Sequence, residues 1–302
     1  MRVGSRDVGY PHLLAAGLLV AMLVGVGVGA STSSSTYGAF NSAWDGGSGV
    51  RDVAADAPAE TALAYNTTAY DEGAAGGAVA FVVSPESGYT DAEAARIESF
   101  VRDGGTLVVA DDFRPHGNDL LSRLGASARI NRTPLRDDRH QYKSGALPVA
   151  TRTVSDPRTN NVSQLTLNHP ATVTANESTA LVRSSNFSYR DADGDGELDE
   201  SEALRSYPVV TSESLGAGEV VVVSDPSVFI NSMLDRPDNR AFVEALVGDH
   251  ETVLLDFSHA TERPPLQVAL GALRDSSALQ LLFGGVVVGA LAVISRRNQF
   301  EL

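Results

Sequence analysis

Residues 78–112 read AVAFVVSPESGYTDAEAARIESFVRDGGTLVVADD, and this stretch decides the fold. Ala78 to Val83 is an unbroken apolar run of strand length, the pattern of a strand covered on both faces, and Ser84-Pro85-Glu86-Ser87-Gly88 ends it with turn residues. A helix is expected next. Thr90 with Glu93 makes a capping box, Ala94, Ile97 and Val101 fall on one helical face, and Gly104-Gly105 supplies the stop. Thr106 to Ala110 is a second buried strand, followed by Asp111-Asp112. Two strands joined through a helix by short connections lie parallel, with a right-handed crossover.

Outward from this unit, Asn118 to Leu124 reads as a short helix leading to a strand near Ala126 to Ile130. The alternation returns with strand Glu219 to Ser224, helix Asp238 to Val247 and strand Thr252 to Phe257. Between the two halves lie candidate strands at Gln164 to Leu167, Ala180 to Arg183 and Tyr207 to Glu213. The expected class is α/β: a doubly wound, mostly parallel sheet with an inserted β-rich region at about residues 131–215, flanked by N- and C-terminal transmembrane helices.

Those flanks rest on two apolar runs. Leu13 to Ala30 is uncharged, and Ser276 to Ile294 has only Gln280 and two serines as polar members; each approaches the roughly 20 helical residues that cross a bilayer core. Arg2 and Arg6 precede the first, and Arg296 and Arg297 follow the second, so the positive-inside rule places both termini in the cytoplasm. The expected order is a cytoplasmic 1–12, a span or signal anchor at 13–30, a Ser/Thr/Gly-rich stalk at 31–49 and an extracytoplasmic domain at 50–260. A juxtamembrane segment at 261–275, a span at 276–294 and a cytoplasmic tail at 295–302 complete it. The small residues Gly29-Ala30-Ser31 leave signal-peptide cleavage of the first run as the alternative. Five N-x-S/T triplets, at Asn66, Asn131, Asn161, Asn176 and Asn186, all fall in the outer segment, where glycosylation would act on them.

Composition narrows the chemistry. The 302 residues include 43% hydrophobic ones, enough for a substantial core, and no Cys, which excludes disulfides, thiol nucleophiles and cysteine metal sites. Lys and Arg number 23 against 38 Asp and Glu, a net charge of −15 that argues against nucleic acid as a partner. Lys143 is the only lysine. Short carboxylates without long ammonium stems predict adaptation to concentrated salt.

The acids gather in one specific motif. Residues 191–202 read DADGDGELDESE and satisfy the twelve-residue EF-hand calcium loop. Asp191, Asp193 and Asp195 place carboxylates at alternate positions, Gly196 permits the sharp turn, the Glu197 carbonyl adds an oxygen, Asp199 acts directly or through water, and Glu202 closes the shell. Leu198 is expected to pack the loop onto its surroundings. Neither flank reads as a helix, so the expectation is a calcium-stapled connection between strands, with a solvated acidic turn as the alternative.

A second group of polar residues follows the strands, where open α/β sheets bind ligands. It comprises Ser84, Asp111, Asp112, Asp225, Asp256 and His259. Ser84, Asp256 and His259 are the residue types of a hydrolytic triad, although no G-x-S-x-G elbow is present. Asp and Ser after a strand more commonly cap the next helix or set a turn, and that reading is preferred to catalysis.

Three segments carry a resemblance: Phe81-Val-Val-Ser84-Pro85, the stretch from Phe100 through Gly104-Gly105 to Ala110, and Gly218 through Ser224-Asp225-Pro226 to Asn231 with Asp238-Asn239-Arg240. They resemble membrane-anchored proteins carrying domain of unknown function 4350, over most of residues 50–260. The resemblance implies a degenerate class I glutamine amidotransferase-like fold. The amidotransferase nucleophile is a Cys, absent here, so the activity is not implied. The expected function is a non-catalytic extracytoplasmic binding or scaffold protein with a calcium loop and a membrane partner. The alternatives are a hydrolase using the strand-end carboxylates, or an auxiliary subunit of a membrane transport complex.

Overall fold

The computed structural model describes residues 33–72 and 75–260, together with Leu18 and residues 276–281. The chain divides into two units, residues 34–262 and the two chain ends. Of the two apolar runs expected to span a membrane, the first lies outside the described residues except for Leu18 and the second from residue 282 onward. Among the described residues no helix is long and apolar enough to cross one.

The body opens with helix α1 (Ser48–Asp56), strand β1 (Glu60–Ala64), β2 (Ala78–Val83), α2 (Asp91–Arg102), β3 (Thr106–Ala110) and α3 (His116–Leu124). The insertion then contributes short strands β4 (Arg129–Asn131), β5 (Leu135–Asp137), β6 (Val149–Ala150), β7 (Arg152–Thr153), β8 (Leu165–Thr166), β9 (Thr172–Thr174), β10 (Thr179–Arg183) and β11 (Ser188–Arg190). The chain closes with β12 (Pro208–Leu215), β13 (Gly218–Val223), α4 (Asn231–Leu234), α5 (Asn239–Val247) and β14 (Thr252–Asp256).

Eight strands form one mixed sheet in the order β1-β14-β2-β3-β13-β12-β10-β7. The pairings from β1 to β13 are parallel, including the expected β2–β3 pair. Those from β13 to β7 are antiparallel. Alternate residues of the central strands feed two separate cores. Val79, Phe81 and Val108 pack with α1 and α5, while Ala80, Val82, Leu107 and Val109 pack with α2 and α3. Helices therefore cover both faces, as near-continuous apolar strands require. The capping box of α2 is formed: Glu93 N–H donates to Thr90 Oγ1 at 3.3 Å, and Thr90 N–H donates to Glu93 Oε2 at 2.8 Å.

The insertion is β-rich, as expected; β12, β10 and β7 extend the main sheet antiparallel, and the remaining short strands form two-stranded ladders. Two expectations are corrected. The strand expected at Ala126 to Ile130 shrinks to Arg129–Asn131 and pairs with β9, because the Ser127 and Ala128 N–H groups donate to the Glu213 carboxylate instead of a ladder. Residues 34–49 are packed, not a stalk. Tyr37 N–H bonds Asp45 O at 2.9 Å, and Asn231 donates to Asn41 O at 3.1 Å and accepts from Gly49 N–H at 2.8 Å. A Cβ on Gly46 would sit 1.9 Å from Asn41 O, and one on Gly47 2.3 Å from Tyr37 O, so these glycines serve close backbone packing.

Candidate functional site

Adjacent strands β14, β2, β3 and β13 end side by side, which aligns Asp256, Ser84, Asp111 and Asp225 along the carboxyl edge of the parallel sheet. The row expected from the sequence is thus assembled, but its members do different work.

Asp111 is fully buried; Oδ1 accepts from Asp112 N–H at 2.9 Å and Oδ2 from Gly117 N–H at 2.8 Å. A Cβ on Gly117 would lie 2.7 Å from Asp111 Cβ, so glycine lets the first turn of α3 close onto this carboxylate. Asp225 is also fully buried, and accepts from Ser227 N–H at 2.8 Å and Asn168 N–H at 2.6 Å. Burial pushes the Asp111 carboxyl up to about 6 and that of Asp225 to about 7, against the lowering effect of these N–H donors. Asp112, raised by burial as well, accepts from Phe113 N–H. Tyr37 closes over the group; burial first, then the charges of Asp225 and Asp112, raise its phenol. All three carboxylates therefore hold backbone N–H groups, the capping role that the sequence favoured over catalysis.

The other end of the row does not assemble a triad. Asp256 accepts from Tyr70 Oη–H at 2.7 Å and Ser258 N–H at 2.7 Å, and burial raises its carboxyl. The Nδ1 of His259 shares a hydrogen with Ser87 Oγ at 2.8 Å, while its Nε2 lies 3.6 Å from Glu93 Oε2. Among the described residues no hydrogen bond joins Ser84 to His259. Ser84 nevertheless adopts φ +47°, a left-handed turn that ends β2 and lets its N–H reach Ala110 O at 2.8 Å. Ser84, Tyr89, Asp256 and His259 line one pocket of about 20 Å³, room for about one water molecule and not for a sugar or peptide. Tyr37, Tyr70, Tyr89 and Ser87 belong to this edge and were not legible in advance, because their neighbours come from distant segments.

The calcium motif folds as an irregular loop after β11, without flanking helices, as expected. One carboxylate oxygen from each of Asp191, Asp193 and Asp195 lies within 4.8 Å of the other two. Gly196 takes φ +83°, the turn for which the motif reserves glycine. The Asp195 carboxylate accepts from Glu197 N–H at 2.8 Å, and Glu202 reaches back to Ala192 N–H at 2.6 Å. The charges of Asp193 and Asp195 raise the Asp199 carboxyl, with Glu202 adding to them, which places all five acids in one negative field. Leu198 departs from expectation: it is 42% exposed and does not anchor the loop. Arg136 replaces it, with Nη1 3.8 Å from Asp191 and its guanidinium beneath Gly196. No spacing rule pairs a residue 55 positions upstream with this motif.

The family model for a domain of unknown function, DUF4350, matches residues 39–247. The chain belongs to the DUF4350 family. No curated protein matches the sequence. Among solved structures, the mmIFT52 N-terminal domain is 14% identical with a TM-score of 0.44, covering 56% of this chain and 76% of that one. The exo-beta-1,4-mannosidase Op5Man5 from Opitutaceae bacterium strain TAV5 is 17% identical with a TM-score of 0.32 over 56% of this chain. A beta-galactosidase from Bacillus circulans sp. alkalophilus is 16% identical with a TM-score of 0.27 over 54%. The DUF4350 chain spans under a quarter of the length of these two glycosidases, 24% and 22%.

Proposed function

We propose that this DUF4350 protein is a membrane-anchored, extracytoplasmic binding or scaffold protein whose insertion is stapled by calcium. The observation that carries the reading is the cluster of Asp191, Asp193 and Asp195 oxygens within 4.8 Å of one another. Oxygens bound to one Ca²⁺ at about 2.3–2.6 Å can stand no more than about 5 Å apart, so this spacing suits a shared ion. The like-charge crowding on Asp199 is a second support, since a divalent cation would relieve it. Anchoring draws support from the two ends of the body. Thr36 and Tyr37, where the chain comes in, line the same pocket as His259 and Ala260, where it leaves.

The full backbone-capping load on Asp111 and Asp225 favours a scaffold over the hydrolase. Isothermal titration of the purified full chain with CaCl₂ in low salt is the test. Binding in the range of about 0.1–1 mM is expected, as in other extracellular modules. Asp193→Asn with Asp195→Asn should abolish it, and heat-free titrations of the wild type up to 10 mM on the order of ten times that range would sink the proposal. Protease added to intact cells should cleave within residues 34–260; complete protection would refute the topology.

A further inference from the structure

The five N-x-S/T triplets are equivalent as sequence, but the fold treats them differently. Transfer of a glycan needs an exposed carboxamide and a hydroxyl partner two residues on, neither of them held by tertiary bonds. Asn186 fails, because its partner Ser188 is fully buried and donates to Asp137 at 2.8 Å. Asn176 fails, because its Nδ2 donates to Ser127 O at 2.7 Å. Asn131 is half-buried within β4, facing Thr172 across the ladder. Asn161 is exposed, but both the N–H and the hydroxyl of its partner Ser163 are held by Asp238, at 2.9 and 2.6 Å.

Asn66-Thr67-Thr68 differs from these four. Asn66 and Thr68 are both exposed, and their side chains bond only each other: Asn66 Oδ1 accepts from Thr68 N–H at 3.0 Å and from Thr68 Oγ1–H. Among the described residues the Nδ2 of Asn66 has no acceptor. Among the described residues its tertiary ties run through the middle residue: Thr67 is buried and its Oγ1 accepts a long 3.4 Å contact from Arg96, while the acceptor Asn66 and its hydroxyl partner Thr68 stay untethered.

We propose that Asn66 is an N-glycosylation site of this protein and the preferred one among the five triplets; the proposal rests on the extracytoplasmic reading above. The co-reactant is a lipid-linked oligosaccharide phosphate or diphosphate presented by a membrane transferase. Asn66 Nδ2 attacks the anomeric carbon and forms the C–N bond. The bond from that carbon to the phosphate oxygen breaks, the lipid phosphate leaves with the electron pair, and a transferase carboxylate takes the Nδ2 proton. As Nδ2 loses that proton, charge moves onto Oδ1, where the two Thr68 donors are already aimed at it.

The test is glycopeptide mass spectrometry of the full chain purified from native membranes, beside protease accessibility of residues 34–260 in the same cells. A glycan on the Asn66 peptide, with the Asn176 and Asn186 peptides unmodified, is expected. Thr68→Ser should retain the modification and Thr68→Ala should lose it at least tenfold, without change at other positions. An unmodified Asn66 in a chain that external protease reaches overturns this site while leaving the topology intact, and so does occupancy at Asn176 or Asn186 in its place. An unmodified chain that protease cannot reach overturns both readings.

Discussion

Asp225 shows what burial does to a single carboxyl. Its pKa is pushed up to about 7, so relative to an unfolded value near 3.9 the folded state holds its proton more tightly. A raised folded pKa gives a contribution fully present below the unfolded value and lost as pH rises through the folded one. Asp225, and Asp111 at about 6, should therefore make the protein lose stability between about pH 4 and pH 7. Asp225→Asn isolates the effect. The amide still accepts one backbone N–H but turns its own NH₂ toward the other, a cost of about 1–3 kcal/mol at pH 5. Since the variant no longer ionises, the gap to wild type should narrow in urea denaturation at pH 8; a gap that widens would show that the wild-type anion is preferred. Position after a strand made this residue legible as polar and important. Its cap of the turn at Pro226–Phe229 was legible too, from Asp225-Pro226, but its second donor was not, because Asn168 comes from the insertion.

At the scale of elements, legibility followed length. The α2 capping box and strands β2 and β3 read correctly because five or more consecutive residues carried one period. Strands of two or three residues, such as β6 and β8, leave no period to read. The β12–β13 hairpin depends on a feature outside any pattern: a Cβ on Gly218 would stand 2.1 Å from Val101 O and 2.2 Å from Gly105 O, both backbone atoms that cannot yield. Gly218→Ala should destabilise by at least about 3 kcal/mol, beyond ordinary overpacking. Gly194→Ala, at φ +79° with nothing within 4 Å, should cost only the left-handed strain, about 1–2 kcal/mol. Chemical denaturation of the pair checks the ranking, and equal losses would contradict it. The loop proposed to bind calcium adds a third element-scale expectation. For a dissociation constant of about 1 mM, 10 mM Ca²⁺ stabilises by about 1.4 kcal/mol, and a chelator should remove that increment while leaving the body folded.

For the whole molecule, charge decides how these parts respond to salt. A net charge of −15 with a single lysine sets carboxylates against one another over the surface, and the repulsion acts across a Debye length of about 10 Å at 0.1 M. At 1 M that length is about 3 Å, shorter than the separation of most surface charges. Unfolding relaxes the repulsion by expanding the chain, so KCl should raise the midpoint of urea denaturation, with most of the rise complete by about 1 M. The calcium loop should answer in the opposite sense. Asp193 and Asp195 are exposed, so the attraction they offer a cation is screened by the same ions. Calcium affinity should fall over the interval in which the body gains stability. Paired measurements of denaturation midpoint and calcium affinity between 0.1 and 2 M KCl distinguish this from a body indifferent to its charge, for which the midpoint would stay level while affinity alone declined.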